Sequence, residues 1–301
     1  VTERPLKNVA HSVHQRLLNE ARDSSRPFNE LLQYYAMERF LYRLSVSPHA
    51  DRFVLKGALM WVAWRGPATR PTRDIDLLGR MSNEPGCLAA TMRDICTQEV
   101  KDDGLVFDAE TVRTSPIARN ADYRGVRVRL EGRLGNAVVH IQVDVGFGDQ
   151  VTPPEELDYP TILDMPAPSL RGYSRESAIA EKLHAMFKLG ALNSRIRDFY
   201  DIWLLSRQFR FEGGTLGEAI QGTFATRDTE IEGIPMALTK EFAEDRTKQQ
   251  LWRSFLRKSR IEGAAELSVV IADVAAFVGP VLEAMSGGHE LDINWHPARG
   301  W

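Results

Sequence analysis

Two segments near the start of the chain, 5–22 and 27–45, repeat apolar residues at helical spacing, with Leu17, Leu18, Leu31, Leu32, Met37, Phe40 and Leu41 on the stripes. The period then shortens. Phe53-Val54-Leu55-Lys56-Gly57 predicts a short strand ending at a glycine, and Ala58 to Trp64 a helix stopped by Gly66 and Pro67. Asp74-Ile75-Asp76-Leu77-Leu78 predicts a second strand, and 86–100 a further helix. From Tyr123 to Phe147 two strands alternate about a hairpin at Gly132 to Asn136. Pro153, Pro154, Pro160, Pro166 and Pro168 mark 149–169 as a linker. Beyond it the periodic segments are helical: 175–191, 195–208, 215–226, 236–258 and 263–285. The tail from Gly287 is irregular, with Trp295 and Trp301 as candidate clamps on the body. The chain therefore reads as an α+β domain over 1–165, a mixed sheet flanked by helices, followed by a helical domain over 166–301.

Composition adds bounds. At about 150 residues per domain, 301 residues fit two domains. With 43% apolar and 26% charged residues, wholesale disorder is excluded. Cys87 and Cys96 match no zinc or redox spacing, so both are expected to be buried apolar side chains in a protein of the reducing cytoplasm. The first ten residues carry Glu3, Arg4 and Lys7 and lack the apolar stretch of a secretory signal. Leu267 to Val278 is short and holds Asp273, so no membrane span is expected. The net charge of −3 excludes a protein basic all over, but not a basic cleft on a neutral body.

The chemistry concentrates in the carboxylates. A strand has period two, so Asp74 and Asp76 share one face while Ile75 and Leu77 point to the core. Two such carboxylates repel unless a cation or a proton joins them. By itself Asp-x-Asp suits an exposed strand equally well. In Val139-His140-Ile141-Gln142-Val143-Asp144-Val145, Asp144 lies with His140 and Gln142 opposite an apolar face. If the two strands are neighbours, three carboxylates converge, and hard oxygen donors without histidine or thiolate suit Mg²⁺ or Mn²⁺. Such a site can clamp a triphosphate. Upstream, Lys56-Gly57-Ala58 sets a glycine turn before an apolar helix, where backbone N–H groups attract phosphate. An ordinary glycine turn fits the same residues. Lys56, Arg65, Arg70 and Arg73 add positive charge without an intervening acid.

These pieces together resemble a nucleotidyltransferase of the DNA polymerase beta superfamily: Leu55-Lys56-Gly57-Ala58, then Asp74-Ile75-Asp76, then Val143-Asp144-Val145. Ala58 departs from the serine or glycine usual there. The helical half narrows the resemblance. Ala180-Glu181-Lys182-Leu183-His184-Ala185 precedes Arg195-Ile196-Arg197-Asp198-Phe199-Tyr200-Asp201-Ile202, and the pair is similar to the AbiEii/AbiGii-type nucleotidyltransferase toxins, including the mycobacterial MenT group.

The resemblance implies a toxin of a type IV toxin–antitoxin or abortive-infection system, neutralised by a cognate antitoxin. It implies transfer of a nucleoside monophosphate from an NTP to RNA, with the tRNA 3′ end as the substrate class. Asp74, Asp76 and Asp144 would hold Mg²⁺ or Mn²⁺. Lys56, Gly57, Ala58, Thr72 and Lys182 would bind the NTP, and Asp201 would either orient Lys182 or contact the nucleotide. His184 is read as a packing residue. The Thr72 hydroxyl, close to the acids, is a candidate for regulatory phosphorylation. Arg127, Arg129 and Arg133, flanked by Arg119 and Arg124, form a basic stripe that either guides RNA or guards an edge strand. Rival readings are a nucleotidyltransferase acting on a small molecule or protein hydroxyl, an Asp-x-Asp glycosyltransferase, and a non-catalytic RNA- or protein-binding module.

Overall fold

A computed structural model of the chain describes residues 8–66, 72–118, 124–149, 151, 154–261, 263–289 and 291–301. Glu3, Arg4, Lys7, Pro67, Arg70, Arg119, Tyr123 and Pro153 lie outside the described residues. Two compact units result, one of Val1–Gly148 with Glu155–Gly172, the other of Asp149–Pro154 with Tyr173–Trp301.

The first unit holds helices α1 (Val9–Asp23), α2 (Phe28–Val46), α3 (Met60–Ala63) and α4 (Pro85–Cys96). Its strands are β1 (Phe53–Lys56), β2 (Asp74–Gly79), β3 (Leu105–Ala118), β4 (Arg124–Leu134), β5 (Ala137–Phe147), β6 (Glu155–Asp158) and β7 (Ser169–Gly172). Among the described residues these make one mixed sheet in the order β3-β4-β5-β2-β1-β7-β6. One face is apolar. Leu55, Ile75, Leu77, Val126, Val128, Leu130, Ile141, Val143 and Val145 share a core with Leu17 of α1, Tyr35, Phe40 and Leu44 of α2, and Leu88 and Met92 of α4. The other face carries the polar side chains. Burying one face and leaving the other polar is what period-two alternation specifies.

Four expectations need correction. The hairpin between β4 and β5 turns at Gly135–Asn136, with Leu134 opposite Ala137 and Gly135 at φ +58. A two-residue loop needs such a left-handed residue. Gly132 lies inside β4, where a Cβ would press on Phe107 at 3.0 Å. Second, residues 105–118 form an edge strand the pattern did not reveal. Its pairing with β4 shifts between Asp108 and Arg113, and a bulge of that kind interrupts alternation.

Third, the proline-rich stretch is no free linker, because β6 and β7 pair and β7 joins β1. Buried groups of α2 hold the segment between them. Ile162 N–H donates to Glu38 Oε2 at 2.7 Å, and Arg39 Nη2 to the Pro166 carbonyl at 2.8 Å. Burial pushes the Glu38 carboxyl up to about 7. Fourth, Cys96 is buried as expected but Cys87 is exposed.

The second unit contains α5 (Arg175–Leu189), α6 (Ile196–Gln208), α7 (Gly213–Thr226), α8 (Lys240–Glu244), α9 (Arg246–Ser259) and α10 (Leu267–Ser286), with a two-residue strand pair β8 (Phe211–Glu212) and β9 (Asn294–Trp295). The single helix expected over 236–258 is broken. Thr239 and Asp245 each cap a new helix, accepting from the N–H of Phe242 and Lys248, and such side chains compete with continuous helix. The apolar stretch of α10 extends beyond Leu267 to Val278, and the helix is long and apolar enough to cross a bilayer. Val270, Ile271, Val274, Phe277, Val278, Val281 and Leu282 are nonetheless buried in the unit, as in a core helix. The tail closes on it: Trp301 Nε1 donates to the Phe277 carbonyl at 2.8 Å and Trp295 Nε1 to the Ser206 carbonyl at 2.6 Å.

Candidate active site

Parallel pairing of β2 with β5 sets Asp76 opposite Asp144 and Asp74 opposite Gln142. Directly paired residues point to the same side, so the three carboxylates share the polar face. One oxygen from each lies within 4.8 Å of the others. Asp144 is buried, with Asp74 and Asp76 half-buried. Like charges this close need a cation among them. The structure supplies part of the answer from β4. Arg127, opposite Asp144, donates from Nε to Oδ1 at 2.8 Å and from Nη2 to Oδ2 at 2.7 Å. Hydrogen bonding to Asp144, together with the charges of Asp74 and Asp76, holds the guanidinium above its ordinary range. Arg127 thus belongs to the carboxylate cluster rather than to an open basic stripe.

Two further residues shape the cluster. The Thr72 hydroxyl donates to Asp74 Oδ1 at 2.7 Å, and the Thr72 N–H donates to Tyr34 Oη at 3.0 Å. Thr72 is only 5% exposed. Its hydroxyl orients Asp74 and does not present itself to a kinase, which corrects the phosphorylation expectation. Gly57 follows Lys56, which lies opposite Asp76 in the β1–β2 register. Its φ is +74, and a Cβ there would sit 2.7 Å from the Asp76 carboxyl carbon. Only glycine lets this turn pass so near the carboxylate. The helix expected from Ala58 to Trp64 is a 3₁₀ turn over Gly57–Leu59 followed by the short α3. The donor set is three hard oxygens without thiolate or imidazole, gathered beside a glycine cradle. It fits Mg²⁺ or Mn²⁺.

The helical unit carries its own cluster. Ser174 caps α5, its side chain accepting from the Ser177 N–H. Lys182, two turns in, donates from Nζ to Asp201 Oδ2 at 2.7 Å and to Asp198 Oδ1 at 3.1 Å. Asp198 and Asp201 lie one turn apart on α6, and Arg195 Nε stands 2.7 Å from Asp198 Oδ2. Burial opposes the charge on Lys182, but Asp198 and Asp201 outweigh it and raise its pKa. It stays an ammonium throughout the neutral range.

Sequence reading missed Arg227. Its guanidinium reaches Asp149 Oδ1 at 2.6 Å, Glu181 Oε1 at 3.2 Å and His184 Nδ1 at 3.1 Å. His184 Nδ1 therefore accepts. By inference Nε2 carries the ring proton toward Thr229 Oγ1, 3.0 Å away. Burial first, then Arg227, lowers the His184 pKa to about 4. An unfolded histidine titrates near 6.5, so the unfolded chain takes up the proton first as pH falls, and stability is lost from about pH 6.5 down to about pH 4. The loss amounts to about 3 kcal/mol. Thermal unfolding at pH 7 and pH 4.5 checks this, with His184→Gln expected to show a smaller difference than the native chain.

The family model of the AbiEii nucleotidyl transferase toxin, type IV toxin–antitoxin system, matches residues 39–273. No curated protein matches the chain. Two solved structures from Helicobacter pylori are similar to it. One is a provisionally assigned nucleotidyltransferase, 14% identical with a TM-score of 0.46 over 86% of this chain and 97% of that one. The other is JHP933, 14% identical with a TM-score of 0.47 over 86% of this chain and 95% of that one.

Proposed function

The chain belongs to the AbiEii nucleotidyl transferase toxin family of type IV toxin–antitoxin systems, and from that premise we propose that it transfers a nucleoside monophosphate from an NTP to the 3′ hydroxyl of RNA, with the acceptor end of tRNA as its substrate. An antitoxin restrains it, and the reaction belongs to the cytoplasm. The observation that carries the reading is the convergence of Asp74, Asp76 and Asp144 beside Gly57, within the stretch that the family model spans.

In this reading Asp74, Asp76 and Asp144 hold divalent metal. A bound metal of this kind supplies charge stabilisation for phosphoryl transfer. The remaining work belongs to the chain. Thr72 fixes the rotamer of Asp74, and Arg127 fixes that of Asp144. The Gly57 turn and Lys56 face the triphosphate, and in the helical unit Lys182 is the candidate phosphate-binding cation, acting as a point charge. Asp201 and Asp198 hold the Lys182 ammonium in one place. The acceptor hydroxyl attacks the α-phosphorus in line, forming the new O–P bond as the bond to pyrophosphate breaks. Its proton passes to a carboxylate oxygen, for which Asp144 is the candidate.

Label transfer from an α-³²P NTP decides the acceptor. Label entering RNA supports the reading. Label entering only protein or a small molecule moves the enzyme to the rival class, and no metal-dependent turnover reduces it to a binding module. A second measurement tests Lys182. We expect Lys182→Ala to raise the KM for NTP by roughly tenfold or more, the worth of a charge-assisted contact, while Lys188→Ala leaves it near the native value. Lys182→Ala also takes the Lys182 cation from the largely buried Asp201 and leaves Asp198 to Arg195, so the kinetics must be read below its lowered melting temperature. Equal kinetics for the two variants would make Lys182 a purely structural cation.

A further inference from the structure

The polar face of the sheet continues past the carboxylates, and what lies there differs on the two sides. The strand order β4-β5-β2-β1 places the Gly57 turn on one flank of the β5–β2 pair and β4 on the other. On the β4 flank a cleft of about 470 Å³ opens beside Asp74. Arg73, Arg129, His140 and Gln142 line it, with Thr111 and Glu131. Arg129 stands opposite Gln142, one pleat along β4 from Arg127 and on the same face.

The arginines of this region are spent differently. Arg127 is held by Asp144, and Arg133 lies 3.8 Å from Glu131. Arg129 and Arg73 are exposed, and among the described residues neither guanidinium meets a hydrogen-bond acceptor or a carboxylate. Two uncommitted guanidinia at one concave wall attract an anion, and their planar forks suit the paired oxygens of a phosphodiester. Glu131 limits the track. It sits at the far end near His140 and Arg133, so the positive stretch accommodates only a phosphate or two.

Chemistry assigns the flank. In-line displacement needs the attacking oxygen and the departing pyrophosphate on opposite sides of the phosphorus. With the triphosphate on the Gly57 flank, the attacking hydroxyl approaches from the β4 flank. We propose that the cleft lined by Arg73, Arg129, Gln142 and His140 is the acceptor subsite, in which Arg73 and Arg129 grip the phosphodiester next to the 3′ end of a single-stranded polynucleotide. The assignment rests on the RNA-acceptor reading above. The basic contact is short, confined to the end of the strand, and does not extend along the length of β4.

The test uses the full chain carrying Arg73→Gln and Arg129→Gln together, with Arg93→Gln on α4 as a control on the other side of the sheet. The probe is a short single-stranded RNA with a free 3′ hydroxyl, bound across a salt series. Two lost phosphate contacts flatten the slope of log affinity against log salt by roughly 0.7 each. The KM for RNA rises roughly tenfold or more. The KM for NTP and the binding of Mn²⁺ followed by electron paramagnetic resonance stay at native values, and the control changes nothing. An unaltered salt slope with RNA transfer intact overturns the cleft assignment alone. A matching rise in the KM for NTP overturns it in favour of a nucleotide subsite. Native enzyme that labels protein or a small molecule instead of RNA overturns the acceptor reading, and this assignment with it.

Discussion

Asp74→Asn removes nucleotidyl transfer, by roughly 10³-fold or more as expected for losing a charge that organises phosphoryl transfer, while the metal-free protein melts no lower than the native one. An asparagine at this position still accepts the Thr72 hydroxyl through its amide oxygen, so the hydrogen bond made at Asp74 Oδ1 survives. What disappears is one of three negative charges within 4.8 Å, and relief of that repulsion favours the folded state without metal. Asp144→Asn gives the opposite stability result. It breaks the bidentate pair with Arg127 and leaves that guanidinium only the more distant charges of Asp74 and Asp76, a lost charge-assisted pair that costs about 3 kcal/mol. At about 2–4 °C per kcal/mol for a domain of this size, that is a drop of roughly 6–12 °C. Melting curves in EDTA beside a label-transfer assay separate the two. Native transfer rates in Asp74→Asn would remove the cluster from the chemistry. A lowered melting point for Asp74→Asn, equal to that of Asp144→Asn, would show the acids to be structural.

Gly57→Ala is the second large effect. The new methyl meets the Asp76 carboxylate at a distance no real Cβ adopts, and φ +74 is strained for any side chain. Asp76 must turn away or β1 must shift. Misplacing a catalytic group by about an ångström costs on the order of a hundredfold in rate, and the backbone strain adds about 1–2 kcal/mol of instability. Mn²⁺ affinity measured by electron paramagnetic resonance should fall with the rate. Gly86→Ala is the control. Gly86 lies in the first turn of α4 with open space where its Cβ would be, so the rate should not move and the melting point should not fall. Full activity in Gly57→Ala would mean that the turn tolerates a side chain and that Asp76 has room elsewhere.

The elements that bury one clean apolar face were legible from residues alone. Ile75 and Leu77, or Val143 and Val145, fix which side of the strand Asp74, Asp76 and Asp144 occupy, because a slip of one residue would put valines in water. The adjacency of β2 and β5 was not legible, since periodicity carries no information on which strands pair. Strand β3 was hidden by its bulge and by Asp108, Glu110 and Pro116 on an edge. β6 and β7 were too short, and too near prolines, to read as strands. The Arg127–Asp144 pair was within reach. Counting outward from a two-residue turn at Gly135–Asn136 sets these residues opposite one another. Reading the turn as Gly132 to Asn136 blurred that register and left Arg127 among the RNA-binding candidates. Lys182 and Asp201 could be chosen only through a resemblance, because no helical period marks which charged residue on one helix meets which on the next.

The parallel register of β2 and β5 also bears on the birth of the molecule. Parallel neighbours cannot be joined by a tight turn, and here the connection carries α4, β3 and β4 before β5 arrives. On the ribosome Asp74 and Asp76 emerge early and wait. Arg127 follows, and Asp144 comes last of the four. Pairing between segments so distant in sequence is slow compared with helix formation. The carboxylate cluster is therefore incomplete through much of translation, and only the zipping of β5 onto β2 closes it. The three carboxylates thus meet only once the last of their strands has been made, about seventy residues after the first two have left the ribosome.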